Sequence, residues 1–573
     1  MPSRFLAFAF DYDGTLTEQD RPSPEMLAAL RRVRRSGRRL VLVTGRILVE
    51  LREVFPEVDA EFDAIVAENG AVLSDADGVR DLAPPLEPHL AQALAHRDIP
   101  CRIGRVVLAC DHAYAPAVLD ELDRLGIDGQ LVRNRAALMV VPSGVTKGTG
   151  LLEALAELRI SHHSTLAVGD AENDLSLLET AEVGVAVANA VDGLRRNADL
   201  VLGLPDGAGV RELLDGPVVA GRRRIFADRW QIELGRTPQD RPVLLPASQV
   251  SLLVTGGSCS GKSYLTGHLV EQLVRLRYGV LVVDREGDHV GLASRQGVMV
   301  VGGEHPLPAP AVVVSMLGLR FGSVVLDLSL LAAAQQDAYV AELLPLVRAV
   351  QLDSGSPHWI VFDEAHTAPG RPGEVDAGGP VPGSGQLLAT YQPDVLPAEV
   401  RDGLDAVVLL PGGGEGAEQA AAFVARHWTS GRSIDEELAA LHPGQALLVP
   451  LTLDQPPVAF DVGPRKSRHV RHWHKYTDAQ LPWHLQFRFA GHDPDEAAGN
   501  IREFHHGLRR ASADTLRSHA SGQDLSRWLD QVLQEQQLAA YVARLEWELD
   551  NGRRTVEDTR SRLLHAIEAH YLG

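Results

Sequence analysis

Short apolar runs that end abruptly in polar side chains recur along this chain. "FLAFAF" stops at Asp11 and Asp13, "RRLVLV" at Thr44 and Gly45, and "TLAVG" at Asp170 and Asp174. Runs of this length predict parallel strands buried on both faces, which deliver side chains at their C-terminal ends. Between them, apolar residues return every three or four positions. In "SPEMLAALRRVRRSG" Ser23 predicts a helix N-cap and Gly37 a stop. Strand and helix alternate, which predicts a doubly wound α/β core over residues 1–215. An insert at about 84–143 reads helix, strand "RVVLA", helix "APAVLDELDRLG", strand "ALMVVP", a small α/β cap.

A second series begins near residue 220 and runs to about 465. "VSLLVTG" is a strand followed by an amphipathic helix, "YLTGHLVEQLVRLRYG". "GVLVVDREGDH" (279–289), "HWIVFDEAHT" (358–367) and "LLATYQPDVL" (387–396) predict further strands of one α/β domain. The interval "APGRPGEVDAGGPVPGSG" (368–385) is dominated by Gly and Pro and predicts a mobile loop. From 466 to 573 the pattern turns helical, as in "DLSRWLDQVLQEQQLAAYVARLEWEL" and "TRSRLLHAIEAHYL". The fold class predicted is therefore a multidomain α/β protein with an α-helical C-terminal region.

Length agrees, because 573 residues exceed what one hydrophobic core organises. Three cysteines without metal-ligand spacing argue for a reducing compartment. No leader is evident before the first strand, and no apolar run approaches the roughly 18 residues of a membrane span. These features predict a cytoplasmic protein with no membrane partner. The net charge is −21, and residues 466–573 hold fifteen basic and fifteen acidic residues, so the whole excess lies before 466. This disfavours a broad nucleic-acid surface and leaves a local patch open. Only four of the 55 basic residues are lysines: Lys147, Lys262, Lys466 and Lys475. Where a lysine remains, a compact ammonium is the feature retained.

Four carboxylates gathered at neighbouring strand ends repel one another, and a divalent cation resolves that. Oxygen-only ligands suit Mg²⁺. A carboxylate can also attack phosphorus, and Lys147 in "GVTKGTGL" can neutralise the phosphoryl group as a point charge. With "AENGA" (67–71), these motifs resemble, in order, the haloacid-dehalogenase-like phosphatases of the Cof type, whose core is Rossmann-like. The resemblance implies Asp11 as nucleophile and Asp13 as general acid/base. It implies Thr44, Gly45, Lys147 and Asn173 as phosphoryl contacts. For the metal it implies Asp11, Asp170 and Asp174, with Asp13 also in the ligand set. A modest phosphorylated metabolite is the implied substrate.

"VTGGSCSGKSYL" carries Gly256, Gly261, Lys262 and Ser263 at the spacing of a phosphate loop between strand and helix. Glycines let backbone N–H groups face the phosphates of ATP, Lys262 reaches the outer ones, and Ser263 holds Mg²⁺. Asp363 and Glu364 end a neighbouring strand. Asp363 would bind Mg²⁺ through water and Glu364 would activate the attacking water, an acid pair that suits hydrolysis rather than kinase chemistry. Gln392 falls where a γ-phosphate sensor sits. Together with "ELGRTPQDRPVLLP" (233–246), this resembles the HerA/FtsK-like P-loop ATPases, a RecA-like fold. Translocating relatives handle polymers with the region that here is 368–385. Arg401 and Arg432 are both candidates for an arginine finger.

"RKSRHVRHWHKY" (465–476) invites a phosphate or nucleic-acid contact, a metal site through His469, His472 and His474, or a solvated linker, the last preferred. The helices beyond it resemble small modules appended to other bacterial enzymes, for docking or homo-oligomer formation. Three functions are compatible with these features. One is a phosphatase whose ATPase domain regulates or remodels. Another is a nucleic-acid motor whose phosphatase trims ends. The third is a signalling module that ATP switches.

Overall fold

The computed structural model describes residues 5–572 apart from 18–19, 87, 135–136, 258–259, 368–384, 413–414, 427, 429–432, 443, 468–480, 482–484, 490–496 and 534. The expectations for the Gly/Pro interval, for Arg432 and for His469, His472 and His474 fall outside the described residues.

An eight-stranded sheet draws every strand from residues 7–201. Its order is Leu200–Val201, Val183–Ala186, Thr165–Gly169, Ala7–Phe10, Arg39–Val43, Ala64–Ala67, Val72–Asp75 and Gly78–Asp81. The first six run parallel, Val72–Asp75 returns antiparallel, and Gly78–Asp81 pairs antiparallel to it in turn. Ala7, Phe8, Ala9 and Phe10 are fully buried, as an uninterrupted apolar run requires. The chain leaves Ala7–Phe10 to one side and later returns to pair Thr165–Gly169 on the other. The crevice therefore opens between the C-terminal ends of these two strands, where strand order reverses. Ser23 caps the first helix, Pro24–Arg35, accepting from the Met26 amide, and Gly37 follows at φ 87°.

The cap is a four-stranded antiparallel sheet in the order Arg102–Ile103, Leu108–Asp111, Ala137–Pro142 and Gly129–Asn134. Helices Pro88–Ala95 and Ala115–Leu125 close it around Leu90, Leu94, Val118 and Val140. Sequence patterning supplied two of its strands. The other two are short or half-exposed, and of "RVVLA" only Leu108 and Ala109 lie in the strand, which runs on to Asp111.

The second α/β region is an eleven-stranded sheet. Seven strands are parallel in the order Ala406–Leu410, Ser251–Gly256, Gln386–Thr390, Trp359–Phe362, Val280–Asp284, Ser323–Asp327 and Val298–Gly302. Antiparallel strands Gln445–Pro450, Val458–Val462, Gln231–Arg236 and Pro242–Pro246 extend one edge. The lead-in hairpin thus closes onto the end of the domain. The C-terminal region packs five helices between Ile501 and Ile567 on an aromatic cluster of Phe487, Phe489, Phe504 and Trp528. The single long pattern read there breaks into helices Asp524–Gln531 and Gln536–Asp550.

The two sheets meet back to back. Ser161, His163 and Glu182 precede strands of the first sheet, while Tyr278, Phe321 and His358 precede strands of the second. Tyr278 donates to Glu182 Oε2 at 2.8 Å, and His163 Nε2 lies 3.0 Å from the Leu276 carbonyl. His358 Nε2 lies 2.7 Å from Ser161 Oγ, and the Ser161 amide donates to the Ser354 carbonyl at 2.9 Å. Arg229 clamps Asp199 and the Ala181 carbonyl at 2.6–2.7 Å. Burial holds His163 down to about 3, so this interface carries a neutral imidazole. Both crevices open at the opposite strand ends, so roughly 30 Å of strand separates them.

Candidate active sites

The first site assembles at the C-terminal ends of Ala7–Phe10 and Thr165–Gly169. Lys147 is the first residue of helix Lys147–Glu157, fixed there by a capping box in which Thr146 and Thr149 exchange hydrogen bonds. Its ammonium lies 2.5 Å from Asp11 Oδ1 and 2.6 Å from Asp174 Oδ1, and all three side chains are buried. Asp174 Oδ2 accepts from the Asp170 and Ala171 amides, both at 2.9 Å. Thr15 donates to Asp170 at 3.3 Å. Burial pushes the Asp11 carboxyl well above the usual range and Asp174 adds to this, against the pull of Lys147.

Carboxylate oxygens of Asp11, Asp170 and Asp174 lie within 4.8 Å of one another. Three carboxylates and one ammonium leave an excess of negative charge where water does not reach. Asn173 Oδ1 is also buried there with no hydrogen-bond partner among the described residues. An all-oxygen donor set with surplus negative charge fits a hard divalent cation. The Asp13 carboxylate is not part of this convergence. Arg46 grips it instead, Nε to Oδ2 at 2.9 Å and Nη2 to Oδ1 at 2.5 Å, and reaches Asp20 at 3.0 Å. Its side chain is 35% exposed, against 5% for Asp11. Thr44 is buried and accepts from the Arg46 amide at 3.1 Å across Gly45.

Two left-handed residues tie core to cap. Glu68, at φ 54°, accepts from the Arg105, Val106 and Val107 amides at 3.0–3.2 Å. Asn69, at φ 56°, accepts from Asn173 at 2.8 Å and donates to Met139 Sδ in a cap strand.

The second site lies after Ser251–Gly256. Gly256 and Gly261 take φ values of 150° and 98°, and Gly261 caps helix Lys262–Arg275. A Cβ on Gly256 would sit 2.6 Å from the Leu410 carbonyl oxygen, so only glycine fits this turn. The buried Lys262 ammonium donates to the Gly257 carbonyl at 2.8 Å, folded back on its own loop. Asp363 ends the strand two places away. Burial opposes its ionisation, but His289, Ser263 and Lys262 together hold it down to about 2. His289 Nε2 is 2.8 Å from Asp363 Oδ2, and the His289 amide donates to Asp284 at 2.8 Å. Glu364 is left-handed at φ 55° with its carboxylate 3.3 Å from His366 Nδ1, which also lies 3.1 Å from Thr390 Oγ1. A left-handed non-glycine residue such as Glu364 is a place where reaction geometry is commonly stored. Gln392 follows Thr390, whose hydroxyl accepts its amide at 3.0 Å. Arg401 pairs with Asp394 of its own chain at 3.1 Å.

Sequence reading missed Arg46, Glu68, His289, His366 and Arg465. Arg46 and His366 stood inside quoted motifs. His289 ends the acid-rich turn, but only the fold brings it to Asp363, 74 residues on. Arg465 opens the basic run, yet it is buried against the phosphate-loop helix, donating to the Ser263 and Asp288 carbonyls at 3.3 Å. A Cβ on Gly267 would meet its guanidinium at 2.3 Å.

Fold and sites define a protein with two phosphate-handling α/β units, one a phosphatase and one an ATPase. The model for haloacid dehalogenase-like hydrolases matches residues 8–94 and 127–214, and that for the central domain of the helicase HerA matches 232–350. The phosphoglycolate phosphatase of Methanothermobacter thermautotrophicus is 33% identical over 215 residues, 36% of this chain and 96% of that protein. Phosphoglycolate phosphatase 2 of Saccharolobus solfataricus is 31% identical over 220 residues, 37% of this chain and 92% of its own length. The chain belongs, through its first third, to the haloacid dehalogenase-like hydrolases, and it continues into a HerA-type P-loop domain. Among the described residues no helix is long and apolar enough to cross a membrane.

Proposed function

We propose that the first domain is a Mg²⁺-dependent phosphomonoesterase acting on a small phosphorylated acid of the phosphoglycolate kind, and that the second hydrolyses ATP to regulate or remodel. The observation that carries the phosphatase reading is the buried Lys147 ammonium bridging Asp11 and Asp174 beside Asp170. In this reading Asp11 attacks phosphorus and forms an acyl phosphate as the ester bond breaks. Asp13, two residues on and open to solvent, gives its proton to the departing oxygen and then takes one from the water that hydrolyses the intermediate. Lys147 neutralises the phosphoryl charge, and Thr44, Gly45 and Asn173 line the group. Asp11, Asp170 and Asp174 would hold the cation, which when bound offsets their charge and that of the phosphate. The substrate class rests on the relatives' names and on a small cap pinned by Glu68 and Met139.

In the second site Lys262 would turn from the Gly257 carbonyl to the outer phosphates of ATP. Ser263 and Asp363 would hold Mg²⁺, Glu364 would orient water, and Gln392 would sense the γ-phosphate. A cytoplasmic setting and self-association belong to this proposal. The two crevices face away from each other, which favours separate chemistries over transfer of one substrate between them. A nucleic-acid motor with an end-trimming phosphatase is the alternative. The deciding test is ATP hydrolysis by the Asp11→Asn protein with and without single- and double-stranded DNA and RNA. A flat response supports the regulatory reading. Strong stimulation sinks it in favour of the motor.

A further inference from the structure

The helices that begin at the two site lysines end at one place. Helix Lys147–Glu157 finishes at Arg159, and helix Lys262–Arg275 finishes at Arg277. Both arginines occupy the left-handed position that follows a helix, at φ 55° and 66°, where glycine is the usual resident. In each case the next amide closes the turn: Ile160 donates to Leu155 O at 2.9 Å, and Tyr278 to Leu273 O at 3.0 Å. Both arginines line the crevice between the two domains, a cavity of about 150 Å³ that also receives Arg320, His162, Ser356 and Phe321. Phe321 is left-handed too, at φ 63°, which is rare for an aromatic residue. The Arg277 and Arg320 guanidiniums lie 4.9 and 5.4 Å from the centre of its ring.

Among the described residues no carboxylate lines this crevice, although acids outnumber bases by 21 in the chain. Arg320 pairs with Glu153 at 3.0 Å outside it. Arg159 and Arg277 have no carboxylate partner among the described residues. Converging helix C-termini oppose an anion. That opposition is quenched at two of them, because Ser354 O accepts from the Ser161 amide at 2.9 Å and Leu276 O lies 3.0 Å from His163 Nε2. Three guanidiniums, serine hydroxyls and an aromatic wall in a space of this size match a phosphate group.

We propose that the interdomain crevice is an effector site for a small phosphate-bearing anion, held between Arg159 of the phosphatase domain and Arg277 and Arg320 of the ATPase domain. Both reactions assigned to this chain release inorganic phosphate, which makes it one source. A small phosphomonoester is the other. The site does not depend on the substrate proposed above.

The test uses the full chain carrying Asp11→Asn and Lys262→Ala, so that neither site turns over. Isothermal titration with inorganic phosphate and with glycerol 2-phosphate is compared before and after adding Arg159→Gln and Arg277→Gln. The expected result is that one binding event weakens at least about tenfold while the remaining isotherm is unchanged. A change confined to glycerol 2-phosphate identifies an ester effector, and a change with inorganic phosphate identifies the shared product. Indistinguishable isotherms for both probes overturn the proposal. Should the glutamine variants melt without cooperativity, Arg159→Met alone and Arg159→Lys with Arg277→Lys replace them; binding weakened by the methionine but kept by the lysines supports the site, and binding unaltered by Arg159→Met refutes it.

Discussion

Lys147 and Lys262 stand at the N-terminal ends of helices whose C-terminal ends share one interdomain crevice. Each lysine lies at the strand ends that carry its own candidate site. The helix behind it, 11 residues in one case and 14 in the other, runs inward to the contact with the other domain. Two active sites that face apart are thereby joined by rigid elements rather than by a shared pocket.

Independence of the chemistry follows from that arrangement. Asp11→Asn is expected to lower phosphatase turnover at least about a thousandfold while ATP hydrolysis stays within twofold or so of the parent, and Lys262→Ala to do the reverse. Paired assays of phosphate release from an ester and from ATP check this. Loss of phosphatase activity in Lys262→Ala without ATP present would refute independent sites.

Lys147 also matters for stability. Lys147→Ala leaves Asp11, Asp170 and Asp174 together without a cation, at a cost on the order of 3–5 kcal/mol. Thermal melting should show the first domain weakened, with millimolar Mg²⁺ recovering part of the loss. Recovery absent at every Mg²⁺ concentration would argue against cation binding by these carboxylates.

The interface centres on Glu182, which meets Tyr278 and His163 at 2.8 Å and also accepts from Ser248. Glu182→Ala strands two buried polar groups and the half-buried Ser248 hydroxyl, so a loss of about 2–4 kcal/mol is expected. Tyr278→Phe removes one donor and should cost about 1–2 kcal/mol. Calorimetry reads the outcome: the parent's two α/β domains should melt together, and the Glu182→Ala protein should melt in separated steps.

A pH signature belongs to the helical module. Glu546 is buried and accepts from the Leu525 amide at 2.9 Å, yet burial pushes its carboxyl from 4.5 up to about 7. Between those values the folded state holds a proton that the unfolded state has lost. Stability therefore falls as pH rises from 4.5 to about 7, by an amount on the order of 3 kcal/mol, and is level above. Glu546→Gln should flatten that slope, as measured by hydrogen exchange in helix Gln536–Asp550 at pH 5 and pH 8.

The elements nearest the chemistry were legible because their physics is local. A strand buried on both faces must be apolar throughout and can turn polar only at its end, so Asp11, Thr44, Asp170 and Asp363 announced themselves. The Gly256-to-Ser263 spacing did the same, since a loop that wraps phosphate needs glycine at fixed offsets. Half-exposed cap strands such as Gly129–Asn134 gave no such pattern. Strands Val298–Gly302 and Ser323–Asp327 at the far edge of the second sheet were not read, although Gly297, Gly303 and Gly322 flank their apolar runs, and no glycine or proline marks the end of helix Asp524–Gln531.

By itself the sequence determined two complete phosphate-handling motif sets, their order along the chain and the strand ends that carry them. Tertiary structure decided what lies between them. It brought His289 to Asp363, seated Arg465 against Gly267, and turned Asp13 toward Arg46 and away from the other three carboxylates. It also set the two sheets back to back, so that Arg159 and Arg277 share a crevice. Such pairings depend on contacts between residues dozens to hundreds of positions apart. No periodicity encodes them, because packing of whole sheets, not the pattern of any one segment, sets those distances.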